Sequence, residues 1–328
     1  MPVKPVHTLT DRIIRCMLFD LGDTLWSRGE TAAWERNEDI ANRRAVVLLR
    51  EGIDPAYLPM LDDFALGRRL REAIDQYIRT RIRRDLEIEP DGTRAVIETL
   101  SQWGIPEIHR DFGTKIFEAL RIRIPESRPL FDDSLSTIIE LHKRGFLLGI
   151  VTNRNWGGPP FLEDLRTLGL YDYFHPAAIA ISGDLGRRKP SAEIFLHALN
   201  ALEVRPEEAV MVGDSLSADV LGAQALGIFA IWKPKPELLK RIQALSRRAD
   251  TATNAQPPTA SGVLSAELSH DAPHNPLPGM HTTDDDYILA QDWSRDYLDR
   301  YLRGDITPDL TIEHLSDLLE IFHQAGVQ

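Results

Sequence analysis

Five polar residues follow short apolar runs and have the side chains needed to bind a metal ion and a phosphate group. Asp20 ends CMLFD, Asp214 ends AVMVGD, and Thr152 with Asn153 ends FLLGIVTN. Two carboxylates and a backbone carbonyl suit Mg²⁺, which keeps several waters and takes other ligands from substrate phosphate. A hydroxyl and an amide suit phosphate oxygens, and Lys189, in GRRKPSAEIF, can pair with both phosphate and a nucleophilic carboxylate.

Each of these residues also has an ordinary structural interpretation. An acid or an asparagine after a strand can cap a helix or close a turn, and a lysine can be a solvated charge. What they share is their place at, or just beyond, the end of an apolar run. Because the carboxyl ends of parallel strands meet at one edge of a sheet, we expect these side chains to converge there.

The elements that position them have the pattern of an α/β protein. Apolar runs at 16–20, 146–153, 177–182, 209–214 and 228–233 show no alternation, as expected for strands buried on both faces of a parallel sheet. Helical patterns lie between them at 134–145, 191–202 and 217–227, and the last two begin on Ser191 and Ser217. This order predicts a doubly wound parallel sheet with right-handed crossovers.

Several segments depart from this alternation. Residues 27–126 are helical in pattern and follow the first strand, so we expect them to lie over the carboxyl edge of the sheet. Residues 234–307 form a second insertion, in which 249–282 are predicted to be a disordered linker and 283–303 an amphipathic helix capped by Thr283. The apolar stripe of that helix must dock on the core, on a partner or on a second copy. Residues 1–11 are expected to be a flexible tail, and 308–328 to form a short strand and a closing helix.

Composition excludes several classes of function. The chain has 328 residues and a formal net charge of -12, which disfavours nucleic-acid binding. Since no stretch approaches the roughly 20 apolar residues of a membrane helix, we expect neither a membrane protein nor a signal peptide. The single cysteine, Cys16, is interpreted as a buried core residue, and a chain without an internal disulfide fits a cytoplasmic location.

Four motifs in this order resemble those of a known family. FDLGDTL, IVTN, RRKPSAEIF and VGDSLSADVLGAQALG are similar to the four motifs of the haloacid dehalogenase-like (HAD-like) hydrolase superfamily, in its phosphatase-like branch with a helical cap inserted after the first motif. The resemblance implies a Rossmann-like core over 12–26 and 127–233, an α-helical cap domain over 27–126 and a return to the core at 308–328.

The resemblance also implies a role for each matching residue. Asp20 would be the nucleophile that forms an aspartyl-phosphate. Thr152, with the Asn153 backbone, would bind the phosphoryl oxygens of a small phosphorylated substrate. Lys189 would neutralise the charge that builds up in the transition state.

The resemblance to the family also implies a Mg²⁺ cofactor. Asp20, the Gly22 carbonyl and Asp214 would hold the ion. Asp219 would act in the second shell or through a water, and Ser215 would orient the acidic loop.

Gly22 departs from the family pattern. Phosphatases of this family usually carry an Asp there, which protonates the leaving group and then activates water, and such a group contributes about 10²–10⁴ in rate. Asp23 is one residue further along, so its side chain is expected to point elsewhere, and a substitute acid–base role for it is the alternative. Four outcomes remain open: a substrate with a good leaving group, such as an acyl phosphate or a sugar 1-phosphate; a proton supplied by the cap or by water; transfer of a long-lived phosphoryl group to an acceptor; or loss of catalysis.

The sequence therefore predicts a Mg²⁺-dependent phosphohydrolase acting on a small phosphorylated metabolite. One alternative is a 2-haloacid dehalogenase without metal, which would not need Asp214. Another is a non-catalytic phosphate-binding or scaffolding protein that recruits a partner through 283–303. Intact Asp214 and Lys189 favour the phosphohydrolase.

Overall fold

A computed structural model describes residues 7–9, 12–28, 32–236, 238–240, 242 and 296–322. The expected linker at 249–282, and residues 283–295 of the predicted amphipathic helix with its Thr283 cap, lie outside the described residues. No helix in the described part of the chain is long and apolar enough to cross a membrane.

The centre of the fold is a six-stranded sheet, beside a separate two-stranded ribbon. The strands are β1 His7–Leu9, β2 Arg12–Ile14, β3 Cys16–Phe19, β4 Leu147–Thr152, β5 Ile179–Ile181, β6 Ala209–Gly213, β7 Phe229–Trp232 and β8 Leu310–Thr311. The sheet order is β5-β4-β3-β6-β7-β8, and every neighbouring pair is parallel. This topology confirms the predicted doubly wound sheet.

Helices cover both faces of the sheet and form a separate layer above its edge. They are α1 Ala32–Gly52, α2 Asp63–Arg84, α3 Gly92–Gln102, α4 Arg110–Ala119, α5 Ile124–Ser127, α6 Ser134–Lys143, α7 Gly158–Thr167, α8 Ser182–Leu185, α9 Ala192–Leu202, α10 Gly222–Gln224, α11 at 296–302 and α12 Asp317–Ile321.

The alternation of side chains along β3 explains the two layers of helices. Met17 and Phe19 point into a core shared with α6, α7 and α12. Cys16 and Leu18 point into the opposite core, which includes α9 and α10. Both faces of the strand are therefore buried, as the unbroken apolar run predicts.

Helices α1 to α4 pack mainly against one another. They enclose their own apolar core, to which Leu49, Leu70, Ile74 and Val96 belong. Trp156, from the loop after β4, also packs into that core, so that the cap is joined to the sheet domain by direct contact.

Three local features differ from, or add to, the predictions. Residues 1–11 are predicted to be a flexible tail, whereas His7–Leu9 pair with Arg12–Ile14 in an antiparallel ribbon. The helix predicted to start at Ser217 begins instead at Leu216, with a π-helical segment Leu216–Leu221 that continues into α10. Its N-cap is Ser215, whose hydroxyl accepts the Ala218 N–H at 3.1 Å. The described end of the amphipathic segment lies on the core, where the rings of Tyr301 and Trp232 are 4.7 Å apart.

Candidate active site

The adjacent ends of β3 and β6 bring the predicted acids together. Phe19 lies opposite Ile150 on one neighbour and Val212 on the other, and the Asp20 N–H continues the ladder to the Val212 carbonyl at 2.9 Å. Carboxylate oxygens of Asp20, Asp214 and Asp219 lie within 4.8 Å of one another, and we call these three residues the acidic cluster. The convergence follows from the parallel topology.

Lys189 joins two members of the acidic cluster. Its Nζ donates to Asp20 Oδ1 at 2.7 Å and to Asp219 Oδ1 at 2.6 Å, and all three side chains are at most 2% exposed. Two carboxylates at this depth need a counter-charge, because an unpaired buried charge costs several kcal/mol. Lys189 provides that charge to both carboxylates.

Asn153 positions Lys189. Its side-chain amide donates to the Lys189 carbonyl at 3.0 Å, and its Oδ1 accepts the Lys189 N–H at 2.8 Å. The sequence suggests the Asn153 amide as a ligand for phosphate, but that group is engaged with the backbone of the lysine loop. What Asn153 offers at the strand end is its backbone N–H, next to the buried Thr152 side chain.

Asp219 is held by the loop that carries Asp214. Its Oδ2 accepts the Ser215 N–H at 2.9 Å, so both of its oxygens have donors. A Cβ on Gly213 would overlap the Asp219 carboxylate, so this close approach requires glycine. Burial raises the pKa of Asp219, Lys189 opposes the rise, and the Asp20 charge adds to it.

Two buried oxygens of the acidic cluster have no hydrogen-bond donor among the described residues. They are Asp20 Oδ2 and Asp214 Oδ1. Burial raises the pKa of Asp214; Lys235 and Arg28 oppose the rise, and Asp23 and Asp20 reinforce it. Unsatisfied, desolvated carboxylate oxygens of this kind fit a hard divalent cation, for which such oxygens are the preferred ligands.

Sequence reasoning missed Arg28. Its guanidinium is buried, with Nη2 3.3 Å from the Gly22 carbonyl and 3.6 Å from Asp20 Oδ2. A Cβ on Gly22 would lie 2.5 Å from Arg28 Cζ and closer still to Nε, so the guanidinium fills the space that a side chain at position 22 would need. The only signal in the sequence was the glycine itself, since nothing marked Arg28 among the many arginines of the chain.

Asp23 supports this arrangement from the other side. Its Oδ1 accepts the Arg28 N–H at 2.8 Å, and its Oδ2 lies 2.8 Å from Lys235 Nζ. Burial alone would raise the pKa of Asp23, but the charges of Arg28 and Lys235 lower it below its ordinary value. Lys235 Nζ also lies 3.7 Å from Asp214 Oδ2. Like Arg28, Lys235 was not identified as a site residue from the sequence.

The cap closes over the sheet edge beside Lys189. Glu89, in the loop after α2, accepts the Asn155 side-chain N–H at 2.8 Å and lies 3.6 Å from Arg188. Nearby, the ring of Trp156 stacks on Phe117 of α4 at 4.6 Å, and its Nε1 donates to the Phe117 carbonyl at 3.1 Å. These contacts hold the cap against the loop that follows β4.

Comparisons with known proteins show which proteins this chain is similar to. A family model described as a haloacid dehalogenase-like hydrolase matches residues 14–227. The chain is 31% identical over 230 residues to the glyceraldehyde 3-phosphate phosphatase of Pyrococcus furiosus, covering 67% of this chain and 81% of that protein. It is 35% identical over 129 residues to the phosphoserine phosphatase of Thermus thermophilus, covering 39% and 48%. The 2-haloacid dehalogenase structure from Pseudomonas syringae pv. Tomato is similar at 28% identity, with a TM-score of 0.45 and coverage of 67% and 86%.

The chain therefore belongs to the haloacid dehalogenase-like hydrolases. It is an enzyme, a hydrolase of the phosphatase type, and the predicted family is confirmed.

Proposed function

We propose that this enzyme is a Mg²⁺-dependent phosphohydrolase that acts through an aspartyl-phosphate on a small phosphorylated metabolite. The observation that carries the proposal is the pair of buried oxygens, Asp20 Oδ2 and Asp214 Oδ1, beside a Lys189 already bound to the other oxygen of Asp20. Asp20 can bind a cation through Oδ2 while its other oxygen, Oδ1, stays oriented for attack by its contact with Lys189. The relatives named as phosphatases of glyceraldehyde 3-phosphate and phosphoserine support a small phosphorylated substrate.

Asp20, Asp214 and the Gly22 carbonyl would hold the metal. Asp219 would act indirectly, because both of its oxygens already accept hydrogen bonds. When bound, Mg²⁺ would neutralise the charge on the phosphoryl oxygens and act as a Lewis acid. Its second effect would be on the acidic cluster, where it would favour the ionised form of buried carboxylates.

The chain's own residues would then carry the reaction. A carboxylate oxygen of Asp20 attacks phosphorus, and the bond from phosphorus to the leaving oxygen breaks with its electron pair on that oxygen. The Thr152 hydroxyl and the Asn153 N–H would bind phosphoryl oxygens, and Lys189 would offset the growing negative charge. Water then attacks the phosphorus of the aspartyl-phosphate, which releases phosphate and restores Asp20.

Phosphate release from a panel of phosphate compounds tests this proposal. Purified protein would be incubated with the panel, and with 2-haloacids, in Mg²⁺ or in EDTA. We expect release that requires Mg²⁺ and disappears in Asp20→Asn. A matched control is Asp63→Asn, which makes the same chemical change at an exposed carboxylate of the cap and should leave activity intact.

Other outcomes would point elsewhere. Phosphate release that persists in EDTA or in Asp20→Asn would contradict the proposal. Halide release without metal would establish a dehalogenase. Binding of vanadate or phosphate with no turnover of any compound would favour the non-catalytic alternative.

A further inference from the structure

We propose that Arg28 is a catalytic residue that occupies the place of an acid–base side chain at position 22 and stabilises the departing oxygen as an anion. The site would then act on phosphoryl compounds whose leaving group departs without a proton, with acyl phosphates as the substrate class. This inference rests on the proposed phosphohydrolase function.

The first step of the argument is the space above Gly22. A Cβ there would overlap the guanidinium, so no other residue at position 22 is compatible with Arg28 in this position. Gly22 and Arg28 are therefore a complementary pair. The guanidinium contacts the Gly22 carbonyl through Nη2 and lies 3.6 Å from the nucleophile.

The second step is that Arg28 is held in place from several sides. Asp23 accepts its backbone N–H at 2.8 Å, and Asp23 Oδ2 lies 4.0 Å from its Nε. The Arg28 carbonyl accepts a hydrogen bond from the Arg128 guanidinium, which in turn stacks on the ring of Trp34 in α1, 3.7 Å from the ring centroid. A buried cation fixed at both its backbone and its side chain is preorganised, as electrostatic catalysis requires.

The third step is compatibility with a metal ion. The 3.6 Å separation of Nη2 from Asp20 Oδ2 is longer than a hydrogen bond, and that oxygen has no donor among the described residues. A backbone carbonyl has two lone pairs, so the Gly22 carbonyl can accept from Arg28 and still face a cation. Arg28 and the metal can therefore both contact the Gly22 carbonyl, while Asp20 Oδ2 stays available to the metal.

The fourth step is chemical. A guanidinium stays protonated in proteins, so Arg28 cannot donate a proton to a leaving oxygen or take one from water. It can lower the energy of negative charge on that oxygen through its forked donors. A carboxylate leaving group, with a pKa of about 4, needs no proton near neutral pH, whereas an alkoxide does.

The intermediate itself supports this substrate class. An aspartyl-phosphate is an acyl phosphate, so every turnover must break a bond between phosphorus and a carboxylate oxygen. With an acyl phosphate as substrate, both steps are the same kind of reaction: a carboxylate leaves phosphorus without a proton. The sum is acyl phosphate plus water giving carboxylate, phosphate and one proton, which passes to solvent.

Leaving-group dependence tests the proposal. We would measure kcat/KM in saturating Mg²⁺ for acetyl phosphate, phenyl phosphate and ethyl phosphate. We expect acetyl phosphate to exceed ethyl phosphate by about 10²–10⁴, the contribution that a positioned acid usually makes. Arg28→Gln should lower kcat/KM for phenyl phosphate by about 10²–10³, as loss of one charge-stabilising donor does, and for acetyl phosphate by less.

Controls separate this role from a structural one. Arg94→Gln removes an exposed arginine of α3 and should change none of the three values. The double variant Gly22→Asp/Arg28→Ala places a carboxyl in the vacated space, and it should hydrolyse ethyl phosphate faster than Arg28→Ala alone.

Similar kcat/KM for acetyl and ethyl phosphate in the wild-type enzyme would overturn the proposal, because a proton would then be coming from elsewhere. An equal loss on all three compounds in a folded Arg28→Gln would also overturn it, since that pattern belongs to a structural or metal-site role. If Arg28→Gln does not fold, the wild-type comparison alone decides. If no compound releases phosphate, or if Asp20→Asn retains activity, it is the phosphohydrolase function that fails.

Discussion

Asp75 is a buried acid of the cap that should destabilise the protein near neutral pH. It lies on α2, and neither of its carboxylate oxygens has a hydrogen-bond donor among the described residues. Burial raises its pKa from 3.8 to about 6; Arg71 and Arg79 oppose the rise and Glu72 adds to it. The folded state therefore keeps this proton at pH values where the unfolded chain has lost it.

The sign and size of the effect follow from that difference. Because the folded protein binds more protons than the unfolded one between about pH 4 and pH 6, the free energy of unfolding falls as pH rises through that window. A pKa shift from 3.8 to about 6 lowers the free energy of unfolding by about 3 kcal/mol at pH 7. Asp75→Asn removes the charge without changing the shape, so we expect a gain of up to about 3 kcal/mol at pH 7 and little change near pH 4.

Arg71 should tolerate the substitution. Its guanidinium donates to Asn42 Oδ1 at 2.6 Å and to the Leu120 carbonyl at 2.7 Å, and it lies 3.7 Å from Glu38. The loss of the Asp75 charge therefore does not leave a buried cation without a counter-charge.

Urea unfolding at pH 4.5 and pH 7, followed by circular dichroism, measures the effect. If the m-value is unchanged, the difference in urea midpoint between the variant and the wild type gives the change in stability. Glu98→Gln, at an exposed acid of α3, is the matched control and should change stability by well under 1 kcal/mol at both pH values. A variant that is less stable at pH 7, or equally changed at both pH values, would refute the reasoning.

Three further predictions concern the site. Lys189→Met should destabilise the protein by about 3–5 kcal/mol in urea unfolding, because two buried carboxylates lose their shared cation. Adding Asp219→Asn should recover part of that stability, but not phosphate release. Mg²⁺ should raise the melting temperature of the wild-type protein and have much less effect on Asp214→Asn, and equal shifts would argue against a metal at this carboxylate. Trp156→Ala should speed amide hydrogen exchange in α4 and the loop after β4 while the central strands stay protected; unchanged exchange in α4 would mean that the Phe117 contact does not hold the cap.

The sheet was predictable from sequence because its strands are buried on both faces. Short, continuous apolar runs are what such burial demands, and each of the five runs contains a strand of the sheet. The meeting of Asp20, Lys189 and Asp214 was predictable for a related reason, since it follows from parallel strands ending at one edge.

Contacts made by loop side chains were not predictable in this way. The Asn153 amide binds the backbone of Lys189, which is 36 residues away in the chain. Lys235 reaches Asp23 from beyond β7. No period or spacing encodes such pairs, because each depends on how two separate loops pack after the sheet has formed. The same holds for the ribbon at His7–Leu9, where three residues are too few to show a pattern.

Position 22 shows how a missing side chain can be misread from sequence alone. A glycine at the usual acid–base position first suggests that a catalytic step is impaired. In the structure the Arg28 guanidinium fills that space, and we propose that a group that keeps its proton replaces one that would transfer it. If that exchange is functional, rate should depend on how readily the leaving group departs unprotonated. If Gly22 instead reflects loss of catalysis, the contacts of Arg28 with Asp23 and Arg128 are only structural. Replacing Arg28 should then lower the rate on every substrate by the same factor.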